Sequence, residues 1–325
     1  VICQDKLALN RLVMRILITG VHGFVGTNLA CSLTGHKVYG VDIVSPQNDN
    51  VLETFSWEDV AQNRIPKVDA IIHLAGKAHD VNHQLVWDDF YSVNTVLTQK
   101  IFDYYKASSS RIFIFFSSVA AVAKHVDTIL LESEKEAPNG FYGKSKYLAE
   151  QYICSNWDDL DLNKRVYILR PSMIHGPGNK GNLNLLYGVV KKGIPYPLGA
   201  FDNKRSFTSV DNLKFIINRL LESDAESGIY NVADDEPVSS NELVALIAEI
   251  LGNKSRIWNV PQPIVRGMAR LCDWLHLPLT TERLEKLTGN FIVSNQKIKN
   301  AIGVENLPVR AHDGLVKTIK SMIRK

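Results

Sequence analysis

No uninterrupted apolar run in this 325-residue chain approaches the ~18 residues that a membrane-spanning helix needs, which excludes an integral membrane segment from the reading. Cysteine is scarce. Cys3, Cys31, Cys154 and Cys272 lie far apart and without metal-ligand spacing, so neither a disulfide framework nor a metal site is expected, and a reducing, cytoplasmic setting is. Charge of either sign is nearly balanced: the net +3 is small and dispersed, which argues against a nucleic-acid partner while leaving anionic metabolites open. No segment is low in complexity, and the first thirteen residues lack the apolar core and small-residue cleavage site of a signal peptide. Since Met14 directly precedes the first strand pattern, residues 1–13 are expected to be an appendage.

What remains is a chain with 45% apolar residues, enough for a full core. Short apolar runs at 16–18, 37–42, 69–76, 111–118 and 165–171 read as strands. Between them, 87–108 and 142–157 are long enough for crossover helices. This alternation predicts an α/β fold: a Rossmann-like doubly wound parallel sheet, with ligands outside the carboxyl ends of its strands. Past Pro171 the texture changes to loops rich in Gly, Pro and Asn. Helical patterns follow at 210–222, 239–252 and 263–275, the second preceded by a capping box of Ser239 or Ser240 with Glu242. The expected division is residues 14–171 for a nucleotide-binding domain and 172–325 for a smaller, mainly substrate-binding α/β region, with some segments returning to the sheet.

The stretch "ILITGVHGFVG" sets Gly20, Gly23 and Gly26 three apart between a strand and a helix. Such a turn bends sharply, brings backbone N–H groups against a pyrophosphate and packs helix on strand. By itself it can also be a glycine-rich turn with no ligand. Asp42 ends the next strand, 22 residues after Gly20, where an acid binds the adenosine ribose hydroxyls and repels a 2′-phosphate. NAD is therefore expected rather than NADP. Ala75 and Gly76, in "HLAG", are small enough for close backbone approach, and His73 before them reads as a packed histidine. Further on, Ser117 and Ser118 end a strand pointing to opposite faces, and Tyr142 and Lys146 are four apart on one helix face. A neighbouring ammonium is expected to lower the phenol pKa and let it exchange a proton with a sugar or alcohol hydroxyl.

Together, T-G-x-x-G-x-x-G at Thr19–Gly26, Asp42, "HLAG", Asn94 in "SVNT", the serine pair, "YGKSK", "LRPSMIHGPG" and "RSFTSVDNL" resemble the extended short-chain dehydrogenase/reductases of the NAD-dependent epimerase/dehydratase family. The likeness runs over nearly the whole chain after Met14. It implies Tyr142 as acid/base, Lys146 as its electrostatic partner and nicotinamide-ribose ligand, and Ser118 on the substrate oxygen, with Ser117 the lesser candidate. The implied cofactor set is Gly20, Gly23, Phe24, Val25, Gly26, Asp42, Ile43, Leu74, Ala75, Gly76, Asn94, Ser117, Tyr142, Lys146 and Pro171. Besides Ser118 and Tyr142, Asn182, Leu183, Arg205 and Arg283 are implied as substrate ligands, the arginines on a sugar-nucleotide diphosphate. A homodimer through a helical face is also implied. Two departures stand out: "VAAVA" follows the serines where relatives carry Val-Tyr-Gly, and "TFSWEDV" lacks the usual Gly-Asp pair near the adenine.

The resemblance also sorts reactions. A 4,6-dehydratase needs an acid and a base after its Ser/Thr, and Val119 and Ala120 stand there. A reductive 3,5-epimerase needs a Cys/His pair, and His175 has no evident cysteine partner. Left open are an NAD-dependent 4-epimerase of a UDP-hexose or UDP-N-acetylhexosamine, or of a lipid-linked sugar diphosphate, and an NAD(P)H-dependent 4-ketoreductase of a 4-keto-6-deoxy sugar. Both belong to polysaccharide precursor synthesis. A non-catalytic dinucleotide sensor is the reading from another class, and such proteins usually lose the Tyr or Lys.

Overall fold

The structure, a computed structural model, describes residues 13–78, 86–126, 128–179, 182–274 and 280–323; the expected appendage thus falls almost wholly outside the described residues. Along the first half run β1 (Arg15–Thr19), α1 (Phe24–Ala30), β2 (Lys37–Val41), β3 (Glu53–Phe55), α2 (Trp57–Ala61), β4 (Ala70–His73), α3 (Trp87–Phe90), α4 (Leu97–Ala107) and β5 (Ile112–Phe116). Then come β6 (Ile129–Leu130), α5 (Gly140–Cys154), β7 (Arg165–Pro171), β8 (Met173–His175), α6 (Asn182–Lys191), β9 (Phe207–Ser209), α7 (Val210–Glu222) and β10 (Gly228–Val232). The last part contains α8 (Ser240–Ile250), α9 (Gln262–Trp274), α10 (Thr281–Thr288), β11 (Ile292–Val293), α11 (Gln296–Ala301) and α12 (Ala311–Ile323).

Seven strands form one sheet in the order β3-β2-β1-β4-β5-β7-β10. The pairs β2–β3, β1–β2, β1–β4, β4–β5 and β5–β7 are all parallel. This is the doubly wound sheet the sequence predicts. Chain order reverses direction at β1, whose Leu17 stands between Tyr39 of β2 and Ile71 of β4; a crevice at such a switch point is where this architecture takes ligands. Ile16, Leu17 and Ile18, and every residue of β4 and β5, are buried, because helices cover both faces and the strands read as continuous apolar runs. The sequence did not single out β3, a three-residue edge strand of Glu53, Thr54 and Phe55.

The chain forms two compact units: residues up to 122, 138–170 and 217–229 in the first, and 123–137, 171–216 and 230 onward in the second. Leu17, Ile71, Phe102, Tyr105, Phe113, Phe115 and Ile153 centre the first unit's core. In the second, Leu183, Tyr187, Leu243, Val244, Ile247, Leu315 and Ile319 pack together, beside two short parallel pairs, β8–β9 and β6–β11. Ser239, rather than Ser240, caps α8: its hydroxyl accepts from Glu242 N at 3.0 Å and its N–H donates to the Glu242 carboxylate at 2.7 Å. One long crossover pattern, 87–108, is broken by a π-helical stretch, Tyr91–Val96, between α3 and α4.

Candidate active site

The cradle begins where β1 ends. Gly20 has φ +70°, a left-handed conformation that favours glycine, and a Cβ on it would stand 2.9 Å from Ala75 N. A Cβ at Gly26 would lie 2.3 Å from Gly20 O and 2.6 Å from Val21 O. So the turn and α1 meet backbone to backbone, with Phe24 and Val25 half-buried in the first helical turn. No side chain caps α1, which leaves its first N–H groups available to an anion. Asp42, just past β2, is held by two backbone donors, His22 N at 2.9 Å and Ile43 N at 2.7 Å. The Ile43 side chain itself is 87% exposed.

At the end of β4, Leu74 N donates to Thr19 O and Ala75 N to Thr19 Oγ1. Asn94, buried in the π-helical stretch, clamps the next turn: its Oδ1 accepts from Lys77 N at 2.7 Å and its Nδ2 donates to Lys77 O and Ser145 Oγ. A Cβ on Gly76 would come within 3.0 Å of both Asn94 Oδ1 and Lys146 Nζ. His73 is the packed histidine expected, with Thr19 Oγ1 at 2.6 Å, Thr98 Oγ1 at 2.9 Å and the Phe115 ring stacked at 5.6 Å. Burial, and then the charge of Lys146, push its pKa well below the ordinary imidazole value.

Ser118, Tyr142 and Lys146 converge on the same side of the first unit. Ser118 opens a 3₁₀ turn, Val119–Ala121, accepting from Ala120 N at 3.2 Å, and its hydroxyl draws the pKa of the Tyr142 phenol down. Lys146 is buried, donates to Phe116 O at 2.8 Å and lies 4.9 Å from the Phe115 ring centre. Burial lowers its pKa to about 8, against the opposing pull of Glu150. One expectation is corrected here: the phenol pKa of Tyr142 is raised, because burial outweighs the opposing pull of the Ser118 hydroxyl and the Lys146 ammonium is directed to a carbonyl. Ser117 is buried and its Oγ has no hydrogen-bond partner.

The remaining candidates lie in the second unit. Pro171 is buried at the end of β7. Leu183 packs in the core, so its backbone alone can face a ligand, and the side chains of Asn182 and Arg283 lie outside the described residues. Arg205 N pairs with Val238 O, its Nη1 donates to Gly289 O at 3.2 Å, and its guanidinium lies 5.9 Å from the Phe291 ring centre. Burial draws its pKa below the usual value. His175 is buried between Thr318 Oγ1 at 2.9 Å and Asp234 at 3.4 Å, and Asp234 also accepts from Ser209 and Asn212. Both imidazole nitrogens are thereby engaged in packing the second unit.

A family profile described as "NAD dependent epimerase/dehydratase family" matches residues 16–233. The chain belongs to this family. The UDP-glucose 4-epimerase of Vibrio cholerae is 29% identical over 95% of both chains. An N-acetyl-α-D-glucosaminyl-diphospho-ditrans,octacis-undecaprenol 4-epimerase of Escherichia coli O157:H7 is 27% identical over 87% of this chain and 84% of its own. In fold, the Bordetella bronchiseptica enzyme WbmG, solved in complex with NAD, superposes with a TM-score of 0.76 at 18% identity, over 98% of this chain and 96% of its own. The protein is thus an NAD-dependent epimerase or related oxidoreductase.

The enzyme's own residues fit the dinucleotide. Its glycine cradle excludes any side chain, its acid at β2 is pre-oriented by two amides, and Ser117 Oγ is a buried polar atom awaiting a partner. Sequence reasoning passed over the support behind these groups. Arg170 grips Glu150 through Nη2 at 2.6 Å and Nε at 3.0 Å, both side chains fully buried. Glu150 is one helical turn beyond Lys146, and that spacing in "KYLAE" was the available signal. Thr95, whose hydroxyl donates to Ser145 O at 2.8 Å, ties the π-helical stretch to α5.

Proposed function

We propose that the enzyme is an NAD-dependent 4-epimerase of a UDP-hexose or UDP-N-acetylhexosamine. The reading rests above all on Tyr142 and the buried Lys146, one turn apart on α5, whose start is packed against the turn that Ser118 opens, with only Val119 and Ala120 where an elimination would need an acid and a base. Two relatives named as 4-epimerases match most of the chain, and one of them is named for a lipid-linked sugar diphosphate, which makes that substrate the alternative within the same reaction. Asp42 accepts the adenosine ribose hydroxyls, the Gly20–Gly26 turn takes the pyrophosphate, and Lys146 takes the nicotinamide ribose. NAD, when bound, supplies a hydride acceptor and donor for C4. Tyr142 takes the proton from the C4 hydroxyl and returns it, Ser118 holds the same oxygen, and Arg205 grips the substrate diphosphate.

An epimerase returns the hydride to the sugar it came from, so no net redox change occurs and one tightly held NAD suffices. Protein purified without added cofactor is therefore expected to release NAD on denaturation and to interconvert a UDP-N-acetylhexosamine with its C4 epimer, followed by NMR. Protein that arrives empty, leaves that substrate untouched and consumes NADH or NADPH stoichiometrically with a 4-keto-6-deoxy sugar would overturn the epimerase in favour of a 4-ketoreductase with the same catalytic residues.

A further inference from the structure

Helix α9 carries more apolar side chains than its own unit uses. Val265 and Ala269 are buried in the core of the second unit. Ile264, Met268 and Leu271, spaced i, i+4 and i+7 and so aligned on another side of the helix, are each more than half exposed, and Trp274 at its end is 76% exposed. Single apolar residues scattered over a surface need no explanation. A row aligned over two helical turns and finished by a tryptophan does.

The charges beside this row point to its occupant. Between Lys254 and Trp274 four basic side chains stand against one acid, Asp273, and Asp273 is engaged by Thr281, accepting from its N–H at 3.1 Å and from its hydroxyl. Arg266 and Arg270 are exposed one turn apart, in line with Trp274 at i, i+4 and i+8 rather than with Ile264, Met268 and Leu271, and the Arg266 guanidinium lies 5.9 Å from the centre of the Phe201 ring. An apolar row, a terminal tryptophan and arginines behind that tryptophan on the remaining exposed side are the arrangement of a helix that lies in a membrane interface without crossing it. A second copy of the chain packed on the same face would set these arginines against their own kind, whereas lipid phosphates neutralise them.

We propose that α9 seats the enzyme on an anionic lipid bilayer, with Ile264, Met268, Leu271 and Trp274 among the headgroups and upper acyl chains and Arg266 and Arg270 on lipid phosphates. The inference concerns where the enzyme works and stands apart from the reaction assigned above. Flotation of the full chain with vesicles of phosphatidylethanolamine and phosphatidylglycerol tests it. The wild type is expected to float with these vesicles at least tenfold more than with phosphatidylcholine alone, and less so at high salt. Met268→Glu/Leu271→Glu is expected to abolish flotation with an unchanged thermal midpoint and NAD content, since both positions are exposed. Arg266→Ala/Arg270→Ala should weaken binding by about fivefold per arginine. A wild type that stays with the unbound fraction, or a Met268→Glu/Leu271→Glu variant that floats equally well, overturns the proposal. So does a wild-type oligomer that dissociates on Met268→Glu/Leu271→Glu, because a second copy would then cover the face.

Discussion

The carbonyl oxygen of Ala120 occupies the place where a side chain at Gly143 would begin: a Cβ there would stand 2.2 Å from it. Asn139 N also donates to that oxygen at 2.9 Å. Through this contact the start of α5 is pressed against the turn that follows Ser118, which brings Tyr142 to the serine. Gly143→Ala must push the two apart. It is expected to cost about 1–3 kcal/mol as overpacking and to lower kcat at least tenfold with NAD still bound. Gly188→Ala is the control. Nothing lies within 4 Å of a Cβ at Gly188 in α6, so stability should rise by about 0.5–1 kcal/mol. Equal urea midpoints for Gly143→Ala and wild type would disprove the contact's role.

Lys146 opposes the stability of the fold that positions it. Its pKa falls from the ordinary 10.5 to about 8, so the folded state binds the proton less well than the unfolded state does. The penalty, about 3 kcal/mol from a shift of this size, is complete below pH 8, fades as pH rises through 10.5 and is gone above it, where neither state is protonated. Lys146→Met should therefore abolish turnover yet make nucleotide-free protein more stable at pH 7, less whatever the bond to Phe116 O contributes. That advantage should shrink between pH 8 and 10.5. Urea unfolding across this range reads it directly, and an advantage that grew with pH would contradict the assignment.

Tyr142→Phe keeps the ring and removes the exchangeable proton. Turnover is expected to fall by ~10²-fold or more, with bound NAD and thermal midpoint close to wild type. A Phe variant of normal activity would remove Tyr142 from the chemistry and revive the sensor reading.

Asp42→Ala deletes a carboxylate already oriented by His22 N and Ile43 N. NAD should bind more weakly, and the preference for NAD over NADP should narrow, because the repulsion of a 2′-phosphate goes with the charge. Titration with both nucleotides measures this. An unchanged ratio would take Asp42 out of the site.

Much of the site can be read from sequence because its parts are local. The Gly20–Gly26 turn, Asp42 at the end of β2 and the Tyr142/Lys146 pair on α5 each follow from spacing along one element or one strand-turn-helix unit. What sequence does not disclose is long-range. Glu150 and Arg170 pair across twenty residues, and nothing in either neighbourhood names the other. The π-helical stretch at Tyr91–Val96 has no periodicity of its own, and Asn94 gains its role only from Lys77 and Ser145. Ser239 and Ser240 are chemically alike, and geometry alone selects the first as the cap. In the phenol of Tyr142 the local argument failed, since it counted a nearby ammonium and could not count burial.

The interleaving of the two units has a consequence for synthesis on the ribosome. When the chain has grown through Pro171, β7 is complete, but its outer edge is closed only by β10, which begins at Gly228. All of 172–227 must emerge first. Throughout that interval the nascent sheet presents a strand buried in the finished protein as an unpaired edge, ready to join a neighbouring chain. Slowing translation between Pro171 and Gly228 should lower the yield of folded enzyme, and the same pause placed after Val232 should be harmless.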